Sequence, residues 1–326
     1  MTQFYDARGN VYGVVSPQAL RLAAIDLPAS AAECASSRQK WSEAAIALCC
    51  HWPEGQRLPD SKSHRSDGLL IGPFQGSAPF DVLIVNTDGS LAERSGNGLT
   101  IFSQALTEQG LMPEEGAELR VHHDKGEPVA TSVKPATVEG MQGFWLDLGQ
   151  PGFGPHAVGA ASFEYRARNA REMSHIPALA QLNPAWASSQ FVRIGNPHCV
   201  TLLNDPAALP SNEQMRESPL NEGLTRIAYA MPIGAGEPCP AGINLQWAAR
   251  DSDQRIVARV FERGEGPTAS SGTSASAVAA AAWRAGWVAA GEVRVVMPGG
   301  TAPVLLEVEE GQLVQIKLFG TARLME

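Results

Sequence analysis

The chain has 326 residues, of which 44% are hydrophobic and 18% are charged, a composition typical of a globular protein with one large core or two smaller ones. Its net charge of -9 disfavours a nucleic-acid or anionic-membrane surface, because both partners would repel it. The N-terminus lacks the basic and apolar regions of a secretory signal, and the most apolar segment, residues 277–290, is too short to cross a bilayer, so we expect a cytoplasmic protein.

The predicted elements are mostly short strands. A helix is expected at residues 16–25, after the Ser16-Pro17 capping signal, and residues 28–62 look like an insertion with one helix at 42–50. Two more helices, at 99–108 and 274–286, each follow a glycine-containing turn. A linker is expected at residues 148–153, where Gly and Pro occur together. The predicted strands lie at residues 80–86, 118–123, 143–149, 191–194, 199–203, 243–249, 256–261, 293–297, 304–308 and 314–319.

This succession favours an α+β fold over a strict alternation of strand and helix. The helix at 274–286 is small on nearly every face, and its apolar flanks predict burial against closely packed neighbours.

The cysteines and histidines give no sign of a disulfide framework or a metal site. The odd count of cysteines, without CxxC spacing, predicts reduced thiols at Cys34, Cys49, Cys50, Cys199 and Cys239. No histidine pairs with Cys, Asp or Glu at metal-ligand spacing, and the adjacent His122 and His123 are interpreted as solvated residues at a strand end.

Two turns in different halves of the chain are alike. Ser95-Gly96-Asn97-Gly98 and Ser271-Gly272-Thr273 each follow a strand and immediately precede a helix. Such a turn offers free backbone N–H groups and the positive end of a helix dipole, which together bind a carboxylate. Two turns facing one another could hold one small anion from both sides, although on this evidence alone two unrelated capping turns are the better explanation.

The turns belong to a longer series of motifs spread from Gly9 to Thr273. In chain order the series reads Gly9-Asn10, Asn86-x-Asp88-Gly89-Ser90, Ser95-Gly96-Asn97-Gly98, Gly195-Asn196-Pro197-His198, Gly242-x-Asn244, Glu262-Arg263-Gly264-x-Gly266-x-Thr268 and Ser271-Gly272-Thr273. In order and spacing it resembles the diaminopimelate epimerase family of cofactor-independent amino-acid epimerases. Any single motif is a weak signal, but the joint pattern covers most of the chain.

The resemblance implies two pseudo-symmetric lobes, each a β-barrel-like sheet around a central helix, with the active site in the cleft between them. We expect residues 1–149 plus 315–326 to form the N-terminal lobe and residues 150–314 to form the C-terminal lobe. The resemblance further implies no cofactor, no metal and a small amino-acid substrate. It leaves a homodimer possible and gives no reason to expect a nucleic-acid or membrane partner.

In the family, two cysteines at helix N-termini move the α-proton, and their positions match Ser95 and Ser271 here. A serine hydroxyl is far less acidic than a thiol, so without an adjacent base it is a poor proton acceptor. A helix dipole contributes only about 1 kcal/mol, which does not close that gap. The two-thiol mechanism is therefore excluded. The surrounding positions also differ from the family, at Thr100, Pro267, Ser274 and Ser276.

The substrate-binding positions of the family are kept. The resemblance assigns a distal carboxylate of the substrate to Arg263 with three asparagines, and a distal amino group to Glu262; the asparagines are Asn86, Asn196 and Asn244. It assigns the reacting end of the substrate to Asn10, Gly96, Asn97, Gly272 and Thr273.

Other groups could move the proton. His198 is the histidine inside a motif and is a candidate third catalytic residue, because histidine titrates near neutrality. Asp67 matches a cleft-lining segment of the family, although a turn or capping role explains it better. Asp88 and Glu265 are interpreted as turn and loop residues.

Three functions stay open from the sequence. The first, which we favour, is a PLP-independent, epimerase-like isomerase acting on an amino acid with the character of a diamino-dicarboxylate. The second is an isomerase of the same fold that shifts a proton along another small acid, as the related phenazine-biosynthesis isomerases do. The third is a catalytically degenerate amino-acid-binding protein. The kept asparagines favour the first and third, and the missing thiols favour the second and third.

Overall fold

The computed structural model describes residues 2–57, 61–160 and 173–325. The chain forms two compact units: unit 1 comprises Met1–Asp147 with Gly320–Glu326, and unit 2 comprises Leu148–Phe319. Strands dominate both units and helices are few, so the predicted α+β class is confirmed. No helix in the described ranges is long and apolar enough to cross a bilayer.

The described residues of unit 1 form eight strands and four α-helices. The strands are β1 (Gln3–Ala7), β2 (Asn10–Val15), β3 (Gly68–Ile71), β4 (Phe80–Asn86), β5 (Ala117–His122), β6 (Val129–Val138), β7 (Met141–Gly149) and β18 (Arg323–Leu324). The helices are α1 (Pro17–Leu22), α2 (Ala31–Ser36), α3 (Ser42–Cys50) and α4 (Gly96–Glu108).

The strands of unit 1 pair in the order β18-β1-β2-β3-β4-β5-β6-β7. The pairs β2–β3 and β4–β5 are parallel and the others are antiparallel. A parallel pair needs a crossover connection, and here α1–α3 lie in the first crossover and α4 lies in the second. Residues 87–95 connect β4 to α4, and within them the Ala92 amide donates to the Ile84 carbonyl, so the chain folds back along β4 before α4 begins.

Both faces of the central strands of unit 1 are buried. On one face, Leu70, Val82 and Ile84 pack with α4; on the other, residues 69, 71, 83 and 85 pack with α1–α3. Because side chains alternate across a strand, such two-sided burial produces continuous apolar runs like FDVLIVN. The segment interpreted as an insertion is therefore a packed layer of the unit, although residues 58–60 of it lie outside the described residues.

Unit 2 contains the remaining elements. Its strands are β8 (Gly152–Phe153), β9 (Ser174–His175), β10 (Ser188–Ile194), β11 (Asn196–Leu203), β12 (Asn244–Ser252), β13 (Arg255–Glu262), β14 (Gly266–Thr268), β15 (Gly291–Met297), β16 (Gly300–Glu309) and β17 (Gln312–Gly320). Its helices are α5 (Pro155–Val158), α6 (Pro177–Leu182), α7 (Asn212–Arg216), α8 (Leu220–Ala228) and α9 (Gly272–Arg284).

Unit 2 repeats the strand order of unit 1. Its main strands pair in the order β10-β11-β12-β13-β15-β16-β17, with β11–β12 and β13–β15 parallel and the others antiparallel. Helices α7 and α8 lie in the first crossover and α9 lies in the second, as α1–α3 and α4 do in unit 1. The two units therefore share one topology, and α4 and α9 occupy equivalent places in it.

Helix α9 lies at the centre of the unit 2 core. It contacts β10, β11, β12, β13, β15 and β16, and its residues Ser274 to Ala282 have no exposed surface. Small side chains on every face allow six strands to pack close to the helix backbone, so the predicted burial of this helix is confirmed. A second cluster on the opposite face of the unit 2 sheet includes Trp186, Trp247 and Phe261.

Several elements differ from the sequence-based expectation. The strands β1, β2, β3 and β6 were not predicted, and the expected helix at 16–25 ends at Leu22. The interpretation of His122 and His123 as solvated residues is wrong. His123 is 8% exposed, and Nε2 of the half-buried His122 lies 3.0 Å from Oδ1 of Asp81.

Candidate active site

In unit 1, Ser95 is the N-cap residue of α4. Its backbone is extended (φ -146°, ψ 117°), and its Oγ accepts a hydrogen bond of 3.0 Å from the Gly98 amide. A Cβ atom at Gly98 would lie 3.1 Å from Ser95 Oγ, so glycine at this position leaves room for the capping side chain. The cap leaves the Gly96 and Asn97 amides at the positive end of the helix without partners from the helix itself.

Two of the predicted binding residues meet beside this cap. Asn97 Nδ2 donates a 2.5 Å hydrogen bond to Asn10 Oδ1, which joins the first turn of α4 to the start of β2. Asn86 ends β4, where its Nδ2 donates to Ser90 Oγ at 2.9 Å. Unit 1 thus collects Asn10, Ser95 and Asn97 in one place and puts Asn86 at the end of a nearby strand.

A buried tyrosine also contacts the cap. Tyr12 lies in β2, two residues after Asn10, and its Oη lies 3.3 Å from Ser95 Oγ. Sequence reasoning missed Tyr12, although residues i and i+2 of a strand share a face and Asn10 was already a candidate.

In unit 2, Ser271 holds the equivalent position at α9. Its backbone is again extended (φ -153°, ψ 120°), but its side chain makes no capping hydrogen bond. A Cβ atom at Gly272 would lie 2.4 Å from Leu318 Cδ2, so the first residue of the helix packs closely on β17. The two caps therefore share backbone geometry and differ in what the serine hydroxyl does.

Two departures from the family pattern fall at equivalent positions of these helices. Thr100 Oγ1 donates to the Gly96 carbonyl at 2.9 Å, and Ser276 Oγ donates to the Gly272 carbonyl at 2.9 Å. Both side chains are buried. A Cβ atom at Gly320 would lie 2.3 Å from Thr100 Oγ1, so Thr100 packs closely on the backbone at Gly320.

The predicted carboxylate anchor, Arg263, follows the last residue of β13. The Arg263 amide donates to Asn244 Oδ1 at 2.8 Å, and its Nη1 donates to the Ala241 carbonyl at 2.9 Å. Gly242 has a φ of 76°, and a Cβ atom there would lie 2.7 Å from Arg263 Cδ and 2.5 Å from the Ala228 carbonyl oxygen. Glycine is therefore required for the arginine side chain to lie across this turn.

The other predicted distal-end residues of unit 2 lie at the same end of adjacent strands. Asn196 begins β11, where His198 is the parallel partner of Asn244 in β12. Glu262 ends β13, which pairs with β12, and its Oε2 accepts a 2.8 Å hydrogen bond from Thr268 Oγ1. A Cβ atom at Gly195 would lie 3.8 Å from Thr273 Cγ2, which puts the Asn196 turn beside the first turn of α9.

Behind this strand end, a polar network is completely buried. Gln246 is oriented so that its oxygen accepts from His198 Nδ1 at 2.9 Å and Ser274 Oγ at 3.0 Å, while its nitrogen donates to the Asn244 and Cys199 carbonyls at 3.3 Å each. This orientation pairs a donor with an acceptor in all four contacts. Sequence reasoning missed Gln246, which shares a strand face with Asn244.

His198 is embedded in that network. Burial lowers the pKa of His198 to about 3, and the positive charges of Arg263 and Arg193 add to this effect. The imidazole is therefore neutral at physiological pH, with its proton on Nδ1. A direct proton-transfer role for His198 stays a prediction, but its burial favours a role in holding Gln246.

The remaining acidic candidates have local partners. Asp67 Oδ2 accepts a hydrogen bond from the Val11 amide at 2.9 Å, and Asp67 Oδ1 lies 2.5 Å from Lys62 Nζ. Asp67 therefore stabilises the start of β2. Hydrogen bonds from the Ser90 side chain and amide lower the pKa of Asp88, which is typical of a turn. Glu265 is exposed in the turn between β13 and β14, and Pro267 is buried in β14.

The structure thus groups the predicted residues into two sets. Unit 1 holds Asn10, Asn86, Ser95, Gly96 and Asn97; unit 2 holds Asn196, His198, Asn244, Glu262, Arg263, Ser271, Gly272 and Thr273. That both sets contact one substrate stays a prediction. Within the described ranges, no group of three or more His, Cys, Asp or Glu side chains is placed to hold a metal ion.

Sequence comparisons give the family. The family model for diaminopimelate epimerase matches residues 190–324. Diaminopimelate epimerase 2 of Nostoc sp. strain PCC 7120 is 30% identical over 310 residues, which cover 94% of this chain and 87% of the relative. This chain belongs to the diaminopimelate epimerase family. The diaminopimelate epimerase of Paraburkholderia xenovorans is 30% identical over 237 residues, covering 72% of this chain and 74% of that relative.

Solved structures share the fold of this diaminopimelate epimerase family member. A phenazine biosynthesis protein of the PhzF family from Bacillus anthracis has a TM-score of 0.60 at 15% identity and covers 100% of this chain and 96% of its own. A hydroxyproline epimerase from Agrobacterium vitis has a TM-score of 0.54 at 16% identity, with coverage of 100% and 90%. Family membership makes this chain an isomerase of the epimerase and racemase kind.

Proposed function

We propose that this family member is a cofactor-independent isomerase that moves the α-proton of an amino acid carrying a second, distal carboxylate, such as the diamino-dicarboxylate diaminopimelate. The observation that carries this proposal is the cluster in unit 2 formed by Asn196, Asn244, Glu262 and Arg263 at one end of three adjacent strands.

The distal end of such a substrate matches this cluster chemically. The Arg263 side chain donates to the Ala241 carbonyl, and the Arg263 backbone N–H donates to Asn244 Oδ1. The guanidinium is therefore oriented before a ligand binds. A guanidinium with neighbouring amides forms a forked, charge-assisted site for a carboxylate, and a glutamate such as Glu262 pairs with an ammonium group.

The reacting end would lie at the helix N-termini. The first amides of α4 and of α9, at Gly96 and Gly272, suit a carboxylate, because N–H groups and helix dipole both favour negative charge. Asn10, Asn97 and Thr273 add side-chain donors. Ser95 and Ser271 can orient the substrate and relay a proton, but unlike a thiol they do not hold a stable anion near neutral pH. We therefore expect slow proton exchange.

The hydroxyl at both caps also favours a second candidate, an isomerase that shifts a proton along another small acid. In the described part of the chain, Ser95 Oγ contacts only the Gly98 amide and the Tyr12 hydroxyl, neither of which is a base at neutral pH. A substrate with a more acidic carbon than the α-carbon of an amino acid would place a smaller demand on such groups.

Proton exchange in deuterated water tests the proposal. Meso- and LL-diaminopimelate are incubated with the protein, and loss of the α-proton signal is followed by ¹H NMR, with alanine as a substrate analogue that lacks the distal end. We expect slow exchange with diaminopimelate and none with alanine. Binding of diaminopimelate by calorimetry without any exchange would favour the second candidate, and absence of both binding and exchange would overturn the assignment of an amino-acid substrate.

A further inference from the structure

We propose that Tyr12 is a positioning residue that fixes Ser95 as a hydrogen-bond donor toward the anionic end of the substrate. The juxtaposition behind this proposal is the 3.3 Å contact between Tyr12 Oη and Ser95 Oγ at the N-terminus of α4. The inference rests on the proposed function, because it takes the partner of the Ser95 proton to be a substrate carboxylate.

The ring of Tyr12 is held in place by the strands around it. Tyr12 is 9% exposed, and its neighbour on the parallel strand β3 is Gly68. A Cβ atom at Gly68 would lie 2.8 Å from Tyr12 Cε1 and 2.7 Å from the Val85 carbonyl oxygen. The missing side chain at Gly68 therefore makes the space in which the ring lies, and the hydroxyl is brought to Ser95 by packing rather than by chance.

The hydrogen-bond capacity of Ser95 decides what the contact does. A hydroxyl has one proton and two lone pairs. The Gly98 amide already donates to Ser95 Oγ at 3.0 Å, which occupies one lone pair. If Tyr12 donates as well, both lone pairs are occupied, and the proton of Ser95 must point in the remaining tetrahedral direction, away from both donors.

The direction of the contact follows from the acidity of the two hydroxyls. A phenol is more acidic than an aliphatic alcohol, so the phenol is the better donor and the serine oxygen the better acceptor. Burial raises the pKa of Tyr12, and the charge of Asp67 adds to this, so the phenol keeps its proton at any physiological pH. Tyr12 therefore donates and Ser95 accepts.

Ser95 is then a donor and not a base. Its proton is available to an oxygen of the substrate carboxylate that the first amides of α4 attract. Ser271 differs, because its side chain makes no capping hydrogen bond and its hydroxyl is not fixed in this way. The two equivalent serines thus have different tasks, with Ser95 fixed for binding and Ser271 able to change partner.

The chain provides a matched control in Tyr5. Tyr5 is the register partner of Tyr12 on the neighbouring strand β1 and has no exposed surface. Its hydroxyl donates to Glu108 Oε2 at 2.7 Å, at the other end of α4. Tyr5→Phe therefore removes a buried tyrosine hydroxyl that contacts the same helix, but leaves the contacts of Ser95 unchanged.

A measurement without ligand tests the contact itself. The protein is labelled with ¹³Cζ tyrosine, and the ¹³Cζ chemical shift of the neutral Tyr12 phenol is measured by NMR, with the signal assigned by Tyr12→Phe. This shift depends on the hydrogen bond that the phenol makes, so Ser95→Ala should change it while the signal of Tyr5 stays the same. An unchanged Tyr12 signal in Ser95→Ala would overturn the proposal whatever the substrate is.

A double-mutant cycle tests the consequence for binding. Calorimetry with meso-diaminopimelate compares the wild type, Tyr12→Phe, Ser95→Ala, the double variant and Tyr5→Phe. We expect Tyr12→Phe to weaken binding about tenfold, since one oriented hydrogen bond to a charged group is lost. The double variant should bind no more weakly than Ser95→Ala, and Tyr5→Phe should bind like the wild type. Additive losses of affinity, or equal losses for the two tyrosine variants, would refute the positioning role. If the wild type does not bind meso-diaminopimelate, the proposed substrate is wrong, and the NMR measurement alone decides whether Tyr12 positions Ser95.

Discussion

Replacement of Gln246 by leucine should be among the most damaging single changes to unit 2. Leucine has a similar volume, so the change removes polar contacts without leaving a large cavity. The substitution removes the hydrogen-bond acceptor of His198 Nδ1 and of Ser274 Oγ, and it removes the donor to the carbonyls of Asn244 and Cys199. A buried donor without a partner costs about 1–3 kcal/mol, and Ser274 can rotate its hydroxyl toward the helix, so we expect a loss of about 3 kcal/mol in the free energy of unfolding.

Urea denaturation followed by tryptophan fluorescence gives the magnitude. Gln190→Leu is the matched control, because Gln190 is also buried against α9 but makes one hydrogen bond, from Nε2 to the Ala281 carbonyl at 3.2 Å. That variant should lose about 1 kcal/mol. Adding Ser274→Ala to Gln246→Leu should cost little more, because it removes a group that has already lost its partner. Equal losses for Gln246→Leu and Gln190→Leu would refute the description of a four-contact network.

Three further outcomes are expected. Arg263→Ala should weaken binding of diaminopimelate by about 2–4 kcal/mol in calorimetry, because a forked ionic contact with the ligand is lost, and should lower the urea midpoint only slightly, because one exposed hydrogen bond to the Ala241 carbonyl is lost. Ser95→Cys combined with Ser271→Cys should raise the rate of α-proton exchange in deuterated water, because helix N-termini lower thiol pKa values. The free energy of unfolding should decrease as the pH is lowered below about 6.5, because the unfolded chain protonates His198 near its ordinary pKa of 6.5 and the folded chain only near 3. His198→Asn should reduce this pH dependence.

Each of these has its own control. Arg259→Ala removes an arginine from β13, the strand that Arg263 follows, and should not change binding, whereas equal effects of the two arginine variants would reject the anchor role. Exchange no faster in the double cysteine variant than in the wild type would show that the wild type has an efficient base that the thiols do not improve. His156→Asn, at an exposed position, should retain the full pH dependence of the free energy of unfolding, which one group changes by at most about 1.4 kcal/mol per pH unit.

The fold was largely predictable where side-chain patterns are strong. Continuous apolar runs identified β4 and much of β12, because strands buried on both faces have no polar alternation to obscure them. The small residues of α9 predicted a buried helix. Strands β1 and β6 were missed, since they mix polar and apolar residues on faces that are only partly covered. Their pairing is decided by distant partners, such as β18 for β1, which local sequence does not reveal.

The site was predictable as far as motifs reach. Glycines, asparagines and the Glu262-Arg263 pair stand out because their spacing is unusual, and the structure gives physical reasons for two of them in Gly242 and Gly272. Tyr12 and Gln246 could not be distinguished from ordinary strand residues, because what sets them apart is a contact with a helix far along the chain. His122 was misjudged for the same reason, because its partner Asp81 comes from another strand.

The small-residue composition of α9 has a consequence for how the chain tolerates mutation. From Ser274 to Ala282 every side chain is fully enclosed, so any larger residue must displace one of the six strands around the helix. Overpacking of this kind costs about 1–3 kcal/mol per substitution, against a total stability of about 5–15 kcal/mol for a typical protein. Random variation at the serine and alanine positions of this segment is therefore limited almost entirely to exchanges among glycine, alanine and serine, and Val278 is its one larger side chain. Single substitutions can therefore change the chemistry at the N-terminus of α9, but residues 274–282 can change in size only together with the strands that enclose them.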